Sequence, residues 1–489
     1  MSEAIRLELT AGRRRRRPTM PFQIGALLLL GGLALAAAVG LAVAAGFHQV
    51  AIGLTLALPL GAVVLRWPFA IVVLWALIMP FFLESLSSQA GPMMWALHRL
   101  ALPGTLVLIA VYHALGIRRS PFRFGLVDVA LIGFIALSIV NVLLTASNTQ
   151  RELVSFYDKL AVPIALFWLV RATRPSRREI EVLVAVGVVT ILFQVALGIL
   201  SWVAPGVLPA QWLGRAGERT VGTFGGPAPY TITLVFYGLL VLHRGMLARA
   251  GIRRAMVVGL VALALLAVFL SLSRGSWLGA GLAFAGLVVI YPRIVVPLGL
   301  TGLVLVSALA FGPLSEQIGF AQERLEDDAT VASRIITNDA AFRMIEERPL
   351  IGFGYGQFER YDEAHKQRSG DIPLKLGGSS HNTYLNLAAE LGLPSLLLYF
   401  AAPVILLVQT VRMRRRLKLG GPALWGMAVI LWLALLDQFV VSNFLEMVHA
   451  YVWGTSLWWL TLGLIAVTLD RAPADPRPSS VRASDAWSW

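Results

Sequence analysis

Apolar runs recur along this chain from Pro21 to Leu469, most of them about 17 to 25 residues long, enough for a helix to cross roughly 30 Å of hydrocarbon. Inside a bilayer each backbone N–H and C=O must find its partner within the protein, and a helix satisfies them within one segment. The runs lie near 21–46, 49–65, 67–83, 98–116, 126–145, 159–170, 180–203, 229–242, 255–272, 276–290, 294–312, 383–411, 422–441 and 450–469, fourteen in all. Several are short, so a count of 12–14 spans is expected, with any remainder re-entrant or strongly tilted. With 57% hydrophobic and 14% charged residues, the chain is too apolar for a soluble protein, where roughly a quarter of residues are charged. The expected fold class is an all-α polytopic membrane protein.

Orientation follows from the cationic residues, because short cytoplasmic connections retain Lys and Arg during insertion. An inside N-terminus puts Arg13 to Arg17, Arg66, Arg118, Arg119, Arg123, Arg171 to Arg178, Arg244 to Arg254, Arg293 and Arg412 to Lys418 on one side. By this assignment 27 of the 41 Lys and Arg face the cytoplasm and 14 the other side, and an even count returns the C-terminus inside. The net charge of +14 then reflects insertion and attraction to anionic membrane lipids, and no nucleic-acid partner is expected. The first run is too long for a signal-peptide core and is expected to stay as the first helix. With no cysteine, disulfides, thiolate metal sites and thiol nucleophiles are excluded.

The organisation expected is a basic segment over 1–20, helices over 21–312, a large outer loop over 313–380, the last helices over 381–469 and a disordered Pro/Ser/Ala-rich tail over 470–489. Within the loop, Ser333 is placed to cap a helix whose Ile336, Ala340, Ala341, Met344 and Ile345 form one apolar stripe, ended by Pro349. Such a helix suits the outer membrane face over a cavity, with Arg334 in its first turn off the stripe. The run Ile351-Gly352-Phe353-Gly354-Tyr355-Gly356 offers a turn able to approach a ligand or a neighbouring helix closely.

His381 is the most informative position, because an imidazole that exchanges a proton near neutral pH stands where the polar loop meets an apolar helix opening Asn382, Thr383, Tyr384. Taken alone it also reads as an interfacial histidine bonded to backbone. Arg274, in the turn Ser271-Leu272-Ser273-Arg274-Gly275-Ser276, sits at or inside the membrane boundary, where a cation is costly and tends to face a cavity or counter-ion; snorkelling is the plainer alternative. Arg334 and Arg219 are cations in cation-poor outer stretches. Arginine suits a diphosphate because its planar fork makes paired charge-assisted bonds at any relevant pH. Three such cations and one imidazole form a candidate site for displacing a diphosphate without a metal. Glu323, Glu326, Asp327 and Asp328 lack a ligand spacing and read as a solvated face. Gly222 to Pro227 lacks the P-loop pattern and reads as a tight helix entry, while Glu390 and Asp437 are expected to pair internally or hold a cation.

Together these residues resemble the O-antigen ligase and Wzy-type O-antigen polymerase superfamily of bacterial envelopes. The resemblance rests on Ser271-Leu272-Ser273-Arg274-Gly275, on Ser333-Arg334 leading to Glu347-Arg348-Pro349-Leu350-Ile351-Gly352-Phe353-Gly354, and on His381-Asn382-Thr383-Tyr384-Leu385 through Glu390-Leu391-Gly392. Gly226 and Ala228 stand where the family often has asparagine, and Pro394 where glycine is frequent. The resemblance implies a GT-C-like architecture with one large periplasmic loop in the bacterial inner membrane. It also implies an inverting, metal-independent transferase without cofactors, moving a glycan from an undecaprenyl-diphosphate carrier to a sugar hydroxyl. By the same carry-over His381 is the base or orienting group, Arg274 and Arg334 hold the diphosphate, Arg219 is a weaker third, and Asn382 and Tyr384 support. Expected partners are the lipid-linked donor, a glycan or lipid A core acceptor, membrane lipids and other polysaccharide-assembly proteins. A repeat-unit polymerase is favoured slightly over a ligase acting on lipid A core.

The rival class is a lipid-linked oligosaccharide flippase or other secondary transporter, which would show paired repeats and broken helices at mid-membrane; neither is apparent in the sequence. A third reading, an envelope scaffold recruiting partners through its loop, predicts an apolar loop surface, whereas this loop is charged and polar around its one stripe.

Overall fold

The computed structural model describes residues 66–82, 97–116, 122–214, 219–248, 251–293, 328–366 and 380–473, with isolated positions elsewhere. The expected runs 21–46 and 49–65, most of 294–312, the acidic residues 323–327 and the tail beyond 473 fall largely or wholly outside them. The chain divides into two units, and the fold lies in the second, Pro68–Trp489.

Among the described residues the elements are helical. In order they are α1 Ala70–Phe82, α2 Leu102–Ala114, α3 Leu126–Thr145, α4 Thr149–Phe156, α5 Val162–Thr173, α6 Arg177–Val203, α7 Pro227–Met246, α8 Ile252–Leu270 and α9 Arg274–Gly286. There follow α10 Asp328–Glu347, α11 Phe358–His365, α12 Thr383–Arg412, α13 Arg414–Leu419, α14 Gly421–Ser442 and α15 Val452–Asp470. Eight described segments are long and apolar enough to cross a membrane, and the protein is multi-pass. The helix α7 is not one of the eight: its tyrosines, threonines and prolines lower its hydropathy, and nearly all of it is buried. With α15, which is buried throughout its apolar window, it forms the centre of the bundle.

Polar caps start the helices where apolar periodicity alone would leave the ends vague. Ser176 and Glu179 form a capping box on α6, the Glu179 N–H donating to Ser176 Oγ at 3.3 Å and the Ser176 N–H to Glu179 Oε2 at 2.6 Å. Asn148 caps α4, accepting from Arg151 N at 3.0 Å. The run expected over 159–170 is the end of a longer span, Thr149–Thr173, in which α4 continues through a π-helical turn, Tyr157–Ala161, into α5. Its first half carries Glu152, Asp158 and Lys159 and is invisible to hydropathy. A second π turn, Leu97–Ala101, opens α2 and faces the first, with Arg99 Nε and Nη2 donating to the Asp158 carboxylate at 2.7 and 2.6 Å.

Two expectations are corrected. The loop helix α10 begins at least five residues before Ser333, so Ser333 lies inside it with its carbonyl accepting from Thr337 Oγ1 at 3.1 Å, and Arg334 is not in the first turn. No glycine or proline interrupts Asp328 to Ser333, so the helix needs no start there. The span α12 is broken at Gly392, whose φ of 80° and ψ of 165° are non-helical. The break lets the Leu350 and Ile351 backbone lie against Gly392, and Leu393 N donates to Pro349 O at 2.8 Å. It lies in the first third of the helix rather than at mid-span.

Candidate functional site

His381 adopts a left-handed conformation, φ 51°, immediately before α12. Histidine tolerates this region better than most residues, but a strained backbone of this kind costs about 1–3 kcal/mol that neighbours must offset. Ser380 does so by bracketing the residue: its Oγ accepts from Asn382 N at 3.2 Å and donates to Asn382 O at 2.8 Å. Asn382 then caps α12, accepting from Tyr384 N at 3.0 Å and Leu385 N at 3.1 Å. Thr383 Oγ1 donates to Leu445 O and accepts from Met447 N, both at 2.8 Å, and Asn382 Nδ2 reaches Asn443 Oδ1 at 3.4 Å. The histidine is thus mounted on the turn between α14 and α15.

Arg274 approaches the same turn from another side. It opens α9 after Leu272, a second non-glycine residue with positive φ, 49°. Gly275 lets this helix start rest on the turn, since a Cβ there would come within 2.8 Å of Phe444 Cβ. Among the described residues three non-glycine positions have positive φ, and two of them are His381 and the near neighbour of Arg274. Ser276 fastens the start of α9 to Ser273 at 3.0 Å and accepts from Thr231 of α7 at 2.7 Å. Arg219 adjoins the end of α8, because Thr220 N donates to Leu270 O at 3.4 Å and Trp202 Nε1 donates to Thr220 Oγ1 at 2.9 Å. Gly222 to Pro227 forms the tight entry expected, a 3-10 turn leading into α7.

Arg334 is carried by α10. The apolar stripe of that helix is used: Ala341 and Met344 share a buried cluster with Phe353, Phe358 and Ala389, with Ile345, Tyr361 and Leu385 packed against it. The stripe therefore faces α11 and α12 rather than a lipid surface. Leu385 and Ala389 lie one and two turns beyond His381, and Arg334 two turns before Ala341, so α10 is docked on the helix that His381 precedes. Tyr384 points inward, its ring among Phe400, Phe439 and Trp458 at centroid distances of 4.9, 5.2 and 6.4 Å, and supports by packing.

Glu390, expected to pair internally, does. Its Oε2 lies 2.7 Å from His449 Nε2 and its Oε1 accepts from Phe358 N at 3.1 Å, joining α12, α11 and the turn after α14. Glu446 accepts the N–H groups of His449 and Ala450, at 2.9 and 3.1 Å to Oε2, and Lys159 Nζ donates to His449 O at 2.6 Å. Burial opposes charge on His449, but Glu390 and Glu446 outweigh it and hold its pKa above the usual value. Burial pushes Glu446 up despite the pull of His449. Burial, with Glu390 and Glu446 nearby, also lifts Tyr355 well above its usual range, so its phenol is neutral. From α3, Asn141 clasps the glycine turn, donating to Ile351 O and Glu390 O and accepting from Tyr355 N at 3.2 Å. Sequence reasoning did not find His449, Glu446 or Asn141, since each acts across a gap of at least 59 positions or on backbone alone.

Residues 259–400 match the family described as O-antigen ligase. That span is similar to the O-antigen ligase family. It contains Arg274, Arg334 and His381, and it leaves Arg219 and the 443–449 turn outside. The match agrees with the resemblance read from the sequence and supports a membrane glycosyltransferase-like role in O-antigen assembly, with lipid-linked glycan and acceptor as substrates. No curated protein matches the chain. Among the described residues no group of three His, Asp or Glu is arranged to hold a metal.

Proposed function

We propose that the protein transfers a glycan from undecaprenyl diphosphate to a sugar hydroxyl at the periplasmic face of the bacterial inner membrane, with inversion and without a metal. The observation that supports this reading is the shared turn: the neighbours of His381 bond to residues 443–447, and Gly275 beside Arg274 lies close against Phe444. In the reaction, His381 takes the proton of the acceptor hydroxyl as its oxygen attacks the anomeric carbon. The bond from that carbon to the phosphate oxygen breaks, and its electron pair leaves with the diphosphate. Arg274 and Arg334, with Arg219 as a third cation, offset the charge that gathers there. A positioned imidazole contributes typically about 10²–10⁴-fold to such a step. Asn382 fixes the turn that aims it, and Tyr384 anchors the helix behind it.

The test mixes the purified protein with an undecaprenyl-diphosphate-linked oligosaccharide, without nucleotide sugar, and follows release of undecaprenyl diphosphate beside His381→Ala. Histidine-dependent release with longer glycan identifies a polymerase, and release only on adding lipid A core identifies a ligase. Release unaffected by His381→Ala and Arg274→Ala would overturn the assignment. No release with either acceptor would favour a lipid-linked oligosaccharide flippase or other secondary transporter.

A further inference from the structure

At the end of the bundle opposite His381, a cavity of about 280 Å³ opens between the start of α6, the end of α7, the start of α14 and the end of α15. Its mouth and floor differ in chemistry. Arg177, Arg244 and Arg471 stand at the mouth with Glu181, while Leu183, Leu240, Leu431 and Leu464, all buried, line the floor. Glu181 is shared, accepting from Arg177 Nε at 2.9 Å and from Arg244 Nη2. Arg471 Nη2 donates to Pro175 O. His243 belongs to the wall, bonded to Tyr291 Oη at 2.6 Å and Ala423 O at 3.0 Å. Three guanidiniums against one carboxylate leave the lining with an excess of two positive charges. A guanidinium has five N–H donors, so Arg177 and Arg244, each engaged with Glu181, retain others to offer.

We infer that this cavity is a binding site for one anionic phospholipid, its phosphate at the Arg177, Arg244 and Arg471 mouth and part of one acyl chain on the leucine floor. The charge excess selects the occupant, because cations at a membrane surface favour anionic headgroups and basic pockets between spanning helices hold them. The floor sets it apart from a generic basic rim: buried leucines around an open volume accept a chain and would otherwise stay dry. The site is formed by helices that also carry the outer turn, since α14 and α15 both end or begin at 442–452. Occupancy there would stabilise the bundle by mass action without contributing to the reaction. The inference is independent of the proposed transfer activity.

The test uses the full chain in detergent with an equimolar mixture of phosphatidylglycerol and phosphatidylethanolamine, counting retained lipids by native mass spectrometry. One retained phosphatidylglycerol per chain is expected, with about tenfold or greater preference over phosphatidylethanolamine, on the scale of two charges near a surface. Arg177→Gln with Arg244→Gln should remove the preference, and Leu240→Trp should remove retention while leaving the melting temperature without lipid unchanged. Equal retention of both lipids, no retained lipid, or a variant pattern identical to wild type overturns the site. Because the wild-type headgroup preference is itself decisive, a variant that does not fold leaves the outcome readable.

Discussion

His449 Nε2 and Glu390 Oε2 meet at 2.7 Å, although the two residues belong to different helical hairpins and the chain between them runs to the far side of the bundle and back. The second oxygen of the same carboxylate holds the start of α11 through Phe358 N. One buried group therefore fixes both the loop that carries Arg334 and the turn on which His381 is mounted.

Removing that carboxylate leaves an imidazole and a backbone N–H without their acceptor. Glu390→Ala is expected to cost about 3 kcal/mol of stability, as for one partner of a buried pair. Glu390→Gln, which keeps an acceptor for Phe358 N, should cost about half of that. Thermal unfolding of the purified variants checks the order, and equal losses would show that shape rather than hydrogen bonding matters there.

The same cluster predicts a pH dependence. Folding raises the pKa of both His449 and Glu446, so their contribution is present at low pH and lost as pH rises through the raised values. For His449 the loss begins above its ordinary value of about 6.5, and for Glu446 above about 4.3. The melting temperature should therefore fall from pH 6 to pH 9, and His449→Gln should flatten the upper part of that slope. Glu390, Glu446, Tyr355 and Lys159 all face His449, so the slope belongs to the cluster.

Thr383 makes two bonds with one hydroxyl. Thr383→Val keeps the shape and leaves Leu445 O and Met447 N unmatched, at a cost of about 1–2 kcal/mol. Under the proposed reaction kcat should fall about tenfold or more with KM little changed, because small displacements of a reacting group are costly. Thr383→Ser should restore it. Wild-type kcat in a destabilised Thr383→Val protein would separate this contact from the chemistry.

Gly392 and Gly356 both have positive φ, but only the first is crowded. Alanine at 392 would collide with the Leu350 carbonyl in a backbone region that only glycine occupies readily, so a loss above about 3 kcal/mol is expected. Alanine at 356 meets nothing within 4 Å and should cost only the left-handed backbone penalty of about 1–2 kcal/mol. Comparing the two by thermal unfolding and by protease cleavage of 349–356 checks the role of the break.

Much of this arrangement was legible beforehand where physics is local. Apolar runs marked the helices α3, α5 to α9, α12, α14 and α15, and Ile336, Ala340, Ala341 and Met344 proved to be the buried face of α10. The glycine run 352–356 was expected to approach a helix, and Gly352 lies against the Glu390 carbonyl. What escaped was non-local. The polar first half of the Thr149–Thr173 span is kept in its helix by Asp158 pairing with Arg99 across 59 positions, which hydropathy does not register. His449 and Glu446 lie in a short connection with no motif, and only folding puts them beside Glu390. The start of α10 was misplaced because a capping residue at Ser333 is only one way for a helix to begin.

The two hydrogen bonds of Thr383 also bear on how such a chain could be divided. The family-matched span ends at residue 400, yet the histidine turn inside it is shaped by residues 443–447. A graft that exchanges residues 259–400 between relatives would separate His381 from its mounting, whereas one that carries the chain through His449 would keep the histidine turn and its support together. The unit that would have to be exchanged together is longer than the matched span.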